Sequence, residues 1–188
     1  MKIKYCPLAI ILFILLSACG SKSTHQSNNK TKPTIGEIKT PLGVMTFELS
    51  DKTPNHKAKF IELAYNNHYN QFTFNRVIKD FVIQGGCPDS VQYFENSPYL
   101  LNPEFHKDLK HTYGALGIGR DENPLKQSNV CQFYIVTNEN GLPRLDDNYM
   151  IIGHITQGFD VLKQIESAKT DTNNMPIQHI PLEVSIKK

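Results

Sequence analysis

The chain has 188 residues, enough for one domain with a tail, and its 39% hydrophobic and 20% charged content excludes collagen-like, fully disordered and disulfide-scaffold classes. The formal net charge is +2, but two of the 20 Lys and Arg are Lys2 and Lys4; without them 18 basic residues face 18 acidic ones. A mature domain of zero net charge has no electrostatic footprint for nucleic acid.

Residues 1–18 open with Lys2 and Lys4 and continue as an apolar run over 8–16, too short to anchor stably as a membrane span. The sequence Leu16-Ser17-Ala18-Cys19 resembles the lipobox of bacterial lipoproteins. That resemblance implies cleavage before Cys19 and acylation of its thiol and amine, with several acyl chains giving stable anchoring. Residues 19–33 are polar and are read as a lipidated Cys with a flexible tether. A cell-envelope location, lipid-anchored to a membrane, follows as an expectation.

A folded domain is expected over 34–188. Runs at 35–39 and 44–49 around Pro41-Leu42-Gly43 read as a hairpin. Thr53-Pro54 offers an N-cap with Pro in the first turn, and Ala58, Ile61 and Ala64 with Phe60 and Leu63 give helical spacing over 54–66. Residues 72–78 and 81–84 read as strands stopped by Gly85-Gly86, with further strands at 115–118, 132–137 and 150–155. Residues 158–168 read as a second helix with Phe159, Leu162 and Ile165 on one face, and 181–188 as a last strand. Many short strands with two helices suggest a mainly β barrel or sandwich, the helices plugging open ends. Cys87 and Cys131 remain in the domain; outside the cytoplasm they can pair, but their spacing does not decide it.

Three collinear blocks then carry a resemblance. The stretch Phe74-Asn75-Arg76-Val77-Ile78 through Phe81-Val82-Ile83-Gln84-Gly85-Gly86 is similar to the signature of the cyclophilin family of peptidyl-prolyl isomerases. Gly114 to Ile118 with Cys131-Gln132-Phe133-Tyr134-Ile135 is similar to a second family block, and Leu145-Asp146 through Gly153-His154 and Gly158 to Val161 to a third. The resemblance covers residues 35–188. It implies an eight-stranded antiparallel closed β-barrel capped by two α-helices, and interconversion of cis and trans Xaa-Pro bonds.

That reaction makes and breaks no bond, so neither cofactor nor metal is expected; His106 and His111 complete no ligand set. A fixed cation aimed at the twisted amide nitrogen is required, and Arg stays charged with a rigid fork. By motif position Arg76 is the catalytic Arg, with Gln84 orienting it; alternation along a strand would put Arg76 on one face with Phe74 and Ile78. The resemblance implies a proline pocket of Phe81, Val82, Tyr134 and Leu145, with Gln132, Tyr149, Gly119 and Arg120 along the substrate backbone. Val82 stands where the family has Met, and Tyr134 where it has Phe, so the Tyr134 hydroxyl needs a partner. Arg144 replaces a rim aromatic, which implies weak cyclosporin binding. Residues 90–103 lack the family's Gly-rich loop and carry Tyr93, Phe94 and Tyr99 instead. These departures keep open a second reading, a catalytically weak proline-peptide binding module. The expected partners are proline-containing polypeptides and a membrane, with no nucleic acid, and the domain is expected to be a monomer.

Overall fold

The computed structural model describes Met1 and residues 32–90 and 97–187. The signal peptide, Cys19, most of the tether, Tyr93 and Phe94 lie outside the described residues.

Strand β1 (Thr34–Thr40) turns through Pro41 and Leu42 into β2 (Gly43–Leu49), as the alternation predicts. Gly43 closes the turn at φ +136°, where an added Cβ would also meet Val161. The Thr40 hydroxyl accepts from the Leu42 N–H and donates to the Gly43 carbonyl.

Helix α1 (Pro54–Tyr65) begins at the expected proline, but Thr53 is not its side-chain cap. The carboxylate of Glu104, 48 to 49 residues away, accepts from the Asn55 and His56 N–H groups at 3.1 and 3.0 Å. A carboxylate there satisfies orphan donors and complements the helix dipole. The buried face of α1 is His56, Phe60, Leu63 and Ala64, rotated from the expected one, which leaves Ala58 exposed. His56 can occupy that face because both ring nitrogens are partnered: Nδ1 donates to Glu104 at 2.6 Å, and Nε2 accepts from the Ser128 hydroxyl at 2.7 Å.

The remaining strands are β3 (Thr73–Ile78), β4 (Val82–Gly86), β5 (Leu100–Leu101), β6 (Ala115–Gly119), β7 (Ser128–Val136), β8 (Met150–Gln157), β9 (Ile180–Pro181) and β10 (Glu183–Ile186). Helix α2 (Phe159–Glu166) follows β8. All pairings are antiparallel, in the order β10-β1-β2-β8-β6-β7-β4-β3-β9 with β5 on β7. The two ends of this path, β9 and β10, are consecutive pieces of one segment interrupted at Leu182. The first piece, β9, pairs β3 and the second, β10, pairs β1, so the chain closes the sheet into a barrel. Among the described residues ten strands stand where the resemblance implies eight; β5 and β9 are two-residue additions.

The sheet wraps an aromatic interior. Phe60 lies 4.9 Å from Tyr69 and 6.2 Å from Phe133, and Phe74 lies 6.0 Å from Phe133, all measured between ring centroids. Phe47, Ile38, Met45, Leu116 and Ile135 fill the rest with no exposed surface. Burying each such side chain contributes about 1.5–3 kcal/mol. The helices add Phe60 and Leu63 from α1 and Val161, Leu162 and Ile165 from α2 to the same core. Phe159 does not join them; it is 36% exposed and stacks on Tyr113 at 5.5 Å.

A second apolar cluster, Val82, Ala115, Tyr134, Val136, Leu142, Leu145 and Ile151, sits on the outer face of the sheet. Strand β7 shows why. All nine of its residues are buried; Cys131, Phe133 and Ile135 belong to the interior, and Gln132, Tyr134 and Val136 point the other way. The sheet is therefore covered on both faces at this point, and the outer cover forms a site.

Candidate active site

The outer cluster floors a cleft of about 210 Å³ lined by Arg76, Phe81, Val82, Gln84, Asp89, Gly119, Arg120, Gln132, Tyr134, Arg144, Leu145 and Tyr149. Every residue singled out from the sequence as catalytic or substrate-binding is on this wall. Asp89 is one that sequence reasoning missed.

A cross-strand row sets the geometry. Arg76 lies opposite Gln84, Gln84 opposite Tyr134, Tyr134 opposite Gly117, and Gly117 opposite Ile151. Directly opposed residues project from the same face of a sheet. Arg76 reaches this face through a bulge: between Phe74 and Arg76 the register shifts, and Asn75 has no strand partner. Phe74 and Val77 point into the barrel, and Arg76 points out. The expectation that Arg76 shares a face with Phe74 is thus corrected; an extra residue in one strand inverts the alternation after it. The Asn75 side chain pins the bulge by donating to the Gly86 carbonyl at 3.0 Å.

Among the described residues, neither the Arg76 guanidinium nor the Gln84 side-chain amide has a hydrogen-bond or ion-pair partner, and Gln84 is 7% exposed. Donors of this kind, held at the edge of an apolar floor, are available to a ligand.

Tyr134 lies flat over Gly117: a Cβ there would fall 2.1 Å from the tyrosine Cζ. Its hydroxyl, for which the sequence offered no partner, donates to His111 Nε2 at 2.7 Å, and His111 Nδ1 donates to Asp146 at 2.7 Å. Burial lowers the His111 pKa below its usual 6.5, against the pull of the Asp146 carboxylate. The ring stays neutral, accepting from the hydroxyl with one nitrogen and donating to the carboxylate with the other. Burial pushes the Tyr134 phenol well above 10.0, so it stays a donor. Burial also pushes Asp146 up, but hydrogen bonds from the His111 ring and backbone outweigh this and leave it below 3.8. The sequence shows His111 only as one of two histidines that complete no metal-ligand set; its place behind Tyr134, 23 residues away, is invisible locally.

Gln132 packs across Gly119 and gives its amide N–H groups to the Cys87 carbonyl at 3.0 Å and the Asp89 carboxylate at 2.7 Å. Cys87 and Cys131 form a disulfide with Cα atoms 5.6 Å apart, which spacing alone did not decide. It sits beside Gln132, and the Cys87 N–H donates to the Cys131 carbonyl.

At the rim two guanidinium groups lie over aromatic rings: Arg120 over Tyr149 at 5.2 Å, and Arg144 over Phe81 at 5.0 Å. Arg120 also donates to the Asn148 carbonyl at 2.7 Å. Phe81 stands in the β3–β4 turn rather than in a strand, and Leu145 in a short 3-10 turn.

A barrel of this topology matches known proteins. The family profile of the cyclophilin type peptidyl-prolyl cis-trans isomerases fits residues 35–186. The chain belongs to the cyclophilin family. A peptidyl-prolyl cis-trans isomerase of Schizosaccharomyces pombe is 36% identical over 151 residues, covering 79% of this chain and 94% of its own. One from Arabidopsis thaliana is 33% identical over 148 residues, covering 77% and 88%. A cyclophilin type isomerase of Cryptosporidium parvum, whose structure was solved in the presence of the dipeptide Ala-Pro, superposes with a TM-score of 0.72 at 27% identity, covering 82% of this chain and 99% of that one. The domain is accordingly a peptidyl-prolyl cis-trans isomerase.

Proposed function

We propose that Arg76 is the catalytic residue of this isomerase and that the cleft takes proline-containing polypeptides. The observation that carries the reading is an Arg without a protein partner among the described residues, opposite Gln84 and facing an apolar floor. Rotation about an amide costs about 18–20 kcal/mol because the nitrogen lone pair is delocalised. In the twisted state the lone pair returns to nitrogen, and a guanidinium N–H can donate to it there and not in the planar ground state. Phe81, Val82, Tyr134 and Leu145 would hold the proline ring. Gln84 would orient Arg76, while Gln132, Tyr149, Gly119 and Arg120 would hold the backbone on either side. The Ala-Pro dipeptide used with the Cryptosporidium relative supports this class of ligand. Exchange rates of an Xaa-Pro peptide with the Arg76→Ala chain test it: the reading requires loss of acceleration with peptide binding kept.

The domain, in this reading, works outside the cytoplasm, tethered through residues 19–33 to a lipidated Cys19, and assists folding of exported chains. The lipobox-like sequence supports this, as does the Cys87–Cys131 disulfide, since such bonds persist in oxidising compartments. Mass spectrometry of the membrane fraction is expected to find a chain beginning at acylated Cys19; an unmodified chain beginning at Met1 would contradict it.

A further inference from the structure

We propose that the cleft selects prolines flanked by an acidic residue, and that Arg144 reads the carboxylate. The proposal rests on the isomerase reading of the same site and names its substrate class. Among the described residues three cations line the cleft, Arg76, Arg120 and Arg144, against one carboxylate, Asp89. Asp89 is already engaged, accepting from the Gln132 amide. Lys110 pairs with Asp146 at 3.5 Å, and Lys126 donates to the Asp147 backbone carbonyl.

The three arginines differ in what they have left to give. Arg76 faces the position of the reacting amide. Arg120 is committed in part to the Asn148 carbonyl. Arg144 is exposed, and among the described residues it has no hydrogen bond or ion pair. It is nevertheless held, because its guanidinium lies 5.0 Å from the Phe81 ring centroid. A ring takes up none of the N–H donors of the guanidinium above it as conventional hydrogen bonds, and those donors match a carboxylate two at a time. Stacking also lowers the ordering cost of binding. Phe81 and Leu145 belong to the apolar floor, so a proline ring seated there sits beside Arg144. Neighbouring Cα atoms are about 3.8 Å apart, which brings the side chain of a flanking residue within reach of a long Arg. A carboxylate-bearing side chain beside the proline would complete the site, and an ammonium-bearing one would meet repulsion from it.

The test uses the full chain and short peptides that carry Glu, Gln or Lys directly before or directly after one proline. Exchange spectroscopy reads kcat/KM for each. Glu peptides at one of the two positions are expected to be turned over about fivefold faster than the matching Lys peptides, the ratio of an exposed but oriented ion pair. Raising the salt from about 0.05 to about 0.5 M should shrink the ratio toward one. Arg144→Glu should invert it, and Arg144→Lys should retain its direction. Equal turnover of Glu and Lys peptides at both positions overturns the proposal while acceleration of the Gln peptides keeps the isomerase reading. A preference that Arg144→Glu leaves unmoved also overturns it. Failure to accelerate any peptide, neutral ones included, refutes the isomerase reading and the proposal with it.

Discussion

Breaking the Cys87–Cys131 disulfide should destabilise the domain and slow it. The bond spans a sequence separation of 44. The loop-closure relation then gives about 4 kcal/mol of stabilisation, acting on the unfolded chain. For a domain of this size each kcal/mol is worth about 2–4 °C, so removal should lower Tm by about 8–16 °C. Both sulfurs are fully buried, and Ala is the better replacement because Ser would bury a hydroxyl in the core. Cys87→Ala and the double variant Cys87→Ala/Cys131→Ala lose the same cross-link, so their Tm values should differ only by one side chain's packing. The activity should fall as well, because Gln132 is held by the carbonyl of Cys87 and follows Cys131 directly. The assay is a thermal melt of a chain starting at Lys32, whose only cysteines are these two, with a peptide exchange rate beside it. Two reactive thiols on unfolding without reductant, or a Tm change under about 3 °C, would refute the reasoning.

Three further outcomes follow from the same contacts. Gly117→Ala puts a methyl group 2.1 Å from Tyr134 Cζ, so the ring must leave its place over the sheet; kcat/KM should fall by between about tenfold and a hundredfold while the circular dichroism of the strands stays unchanged. Glu104→Ala strips α1 of its cap and His56 of its partner and should cost about 2–4 kcal/mol in urea unfolding. The pKa values of His56 and His111 are lowered by burial from 6.5, so the unfolded chain takes up their protons first. Stability from keeping them neutral is therefore full above about pH 6.5 and lost as the pH falls below it, with Glu104 and Asp146 adding their loss at still lower pH; equilibrium unfolding between pH 7.5 and 4.5 reads this, and a flat profile would contradict it.

What the sequence made legible was local. The β1–β2 hairpin and the proline at the start of α1 are written in adjacent residues and are where the pattern puts them, whereas Gly85-Gly86, read as the stop of a strand, are the last two paired residues of β4. The site residues were legible because a motif names positions, and the barrel then brings Arg76, Gln84, Gln132, Tyr134 and Tyr149 to one wall. What stayed hidden depends on partners distant in sequence or on a change of register. A bulge at Asn75 inverts the face of Arg76, and no composition signal marks it. Glu104 replaces Thr53 as the cap of α1 from 49 residues away. His111 looks like an isolated histidine until the fold places it between Tyr134 and Asp146. Asp89 and the disulfide belong to the same class, since only the pairing of β4 with β7 puts them beside Gln132.

The central claim is that Arg76, held out of the barrel by the Asn75 bulge, lowers the barrier to Xaa-Pro rotation from the cleft. Exchange spectroscopy on one Xaa-Pro peptide, comparing the unaltered chain with Arg76→Ala, tests it most directly. The expected result is clear acceleration that falls by about 10²–10³ in the variant, the loss typical of removing one donor aimed at a transition state. Equal acceleration by both chains would contradict the account, as would peptide binding by the unaltered chain with no acceleration at all.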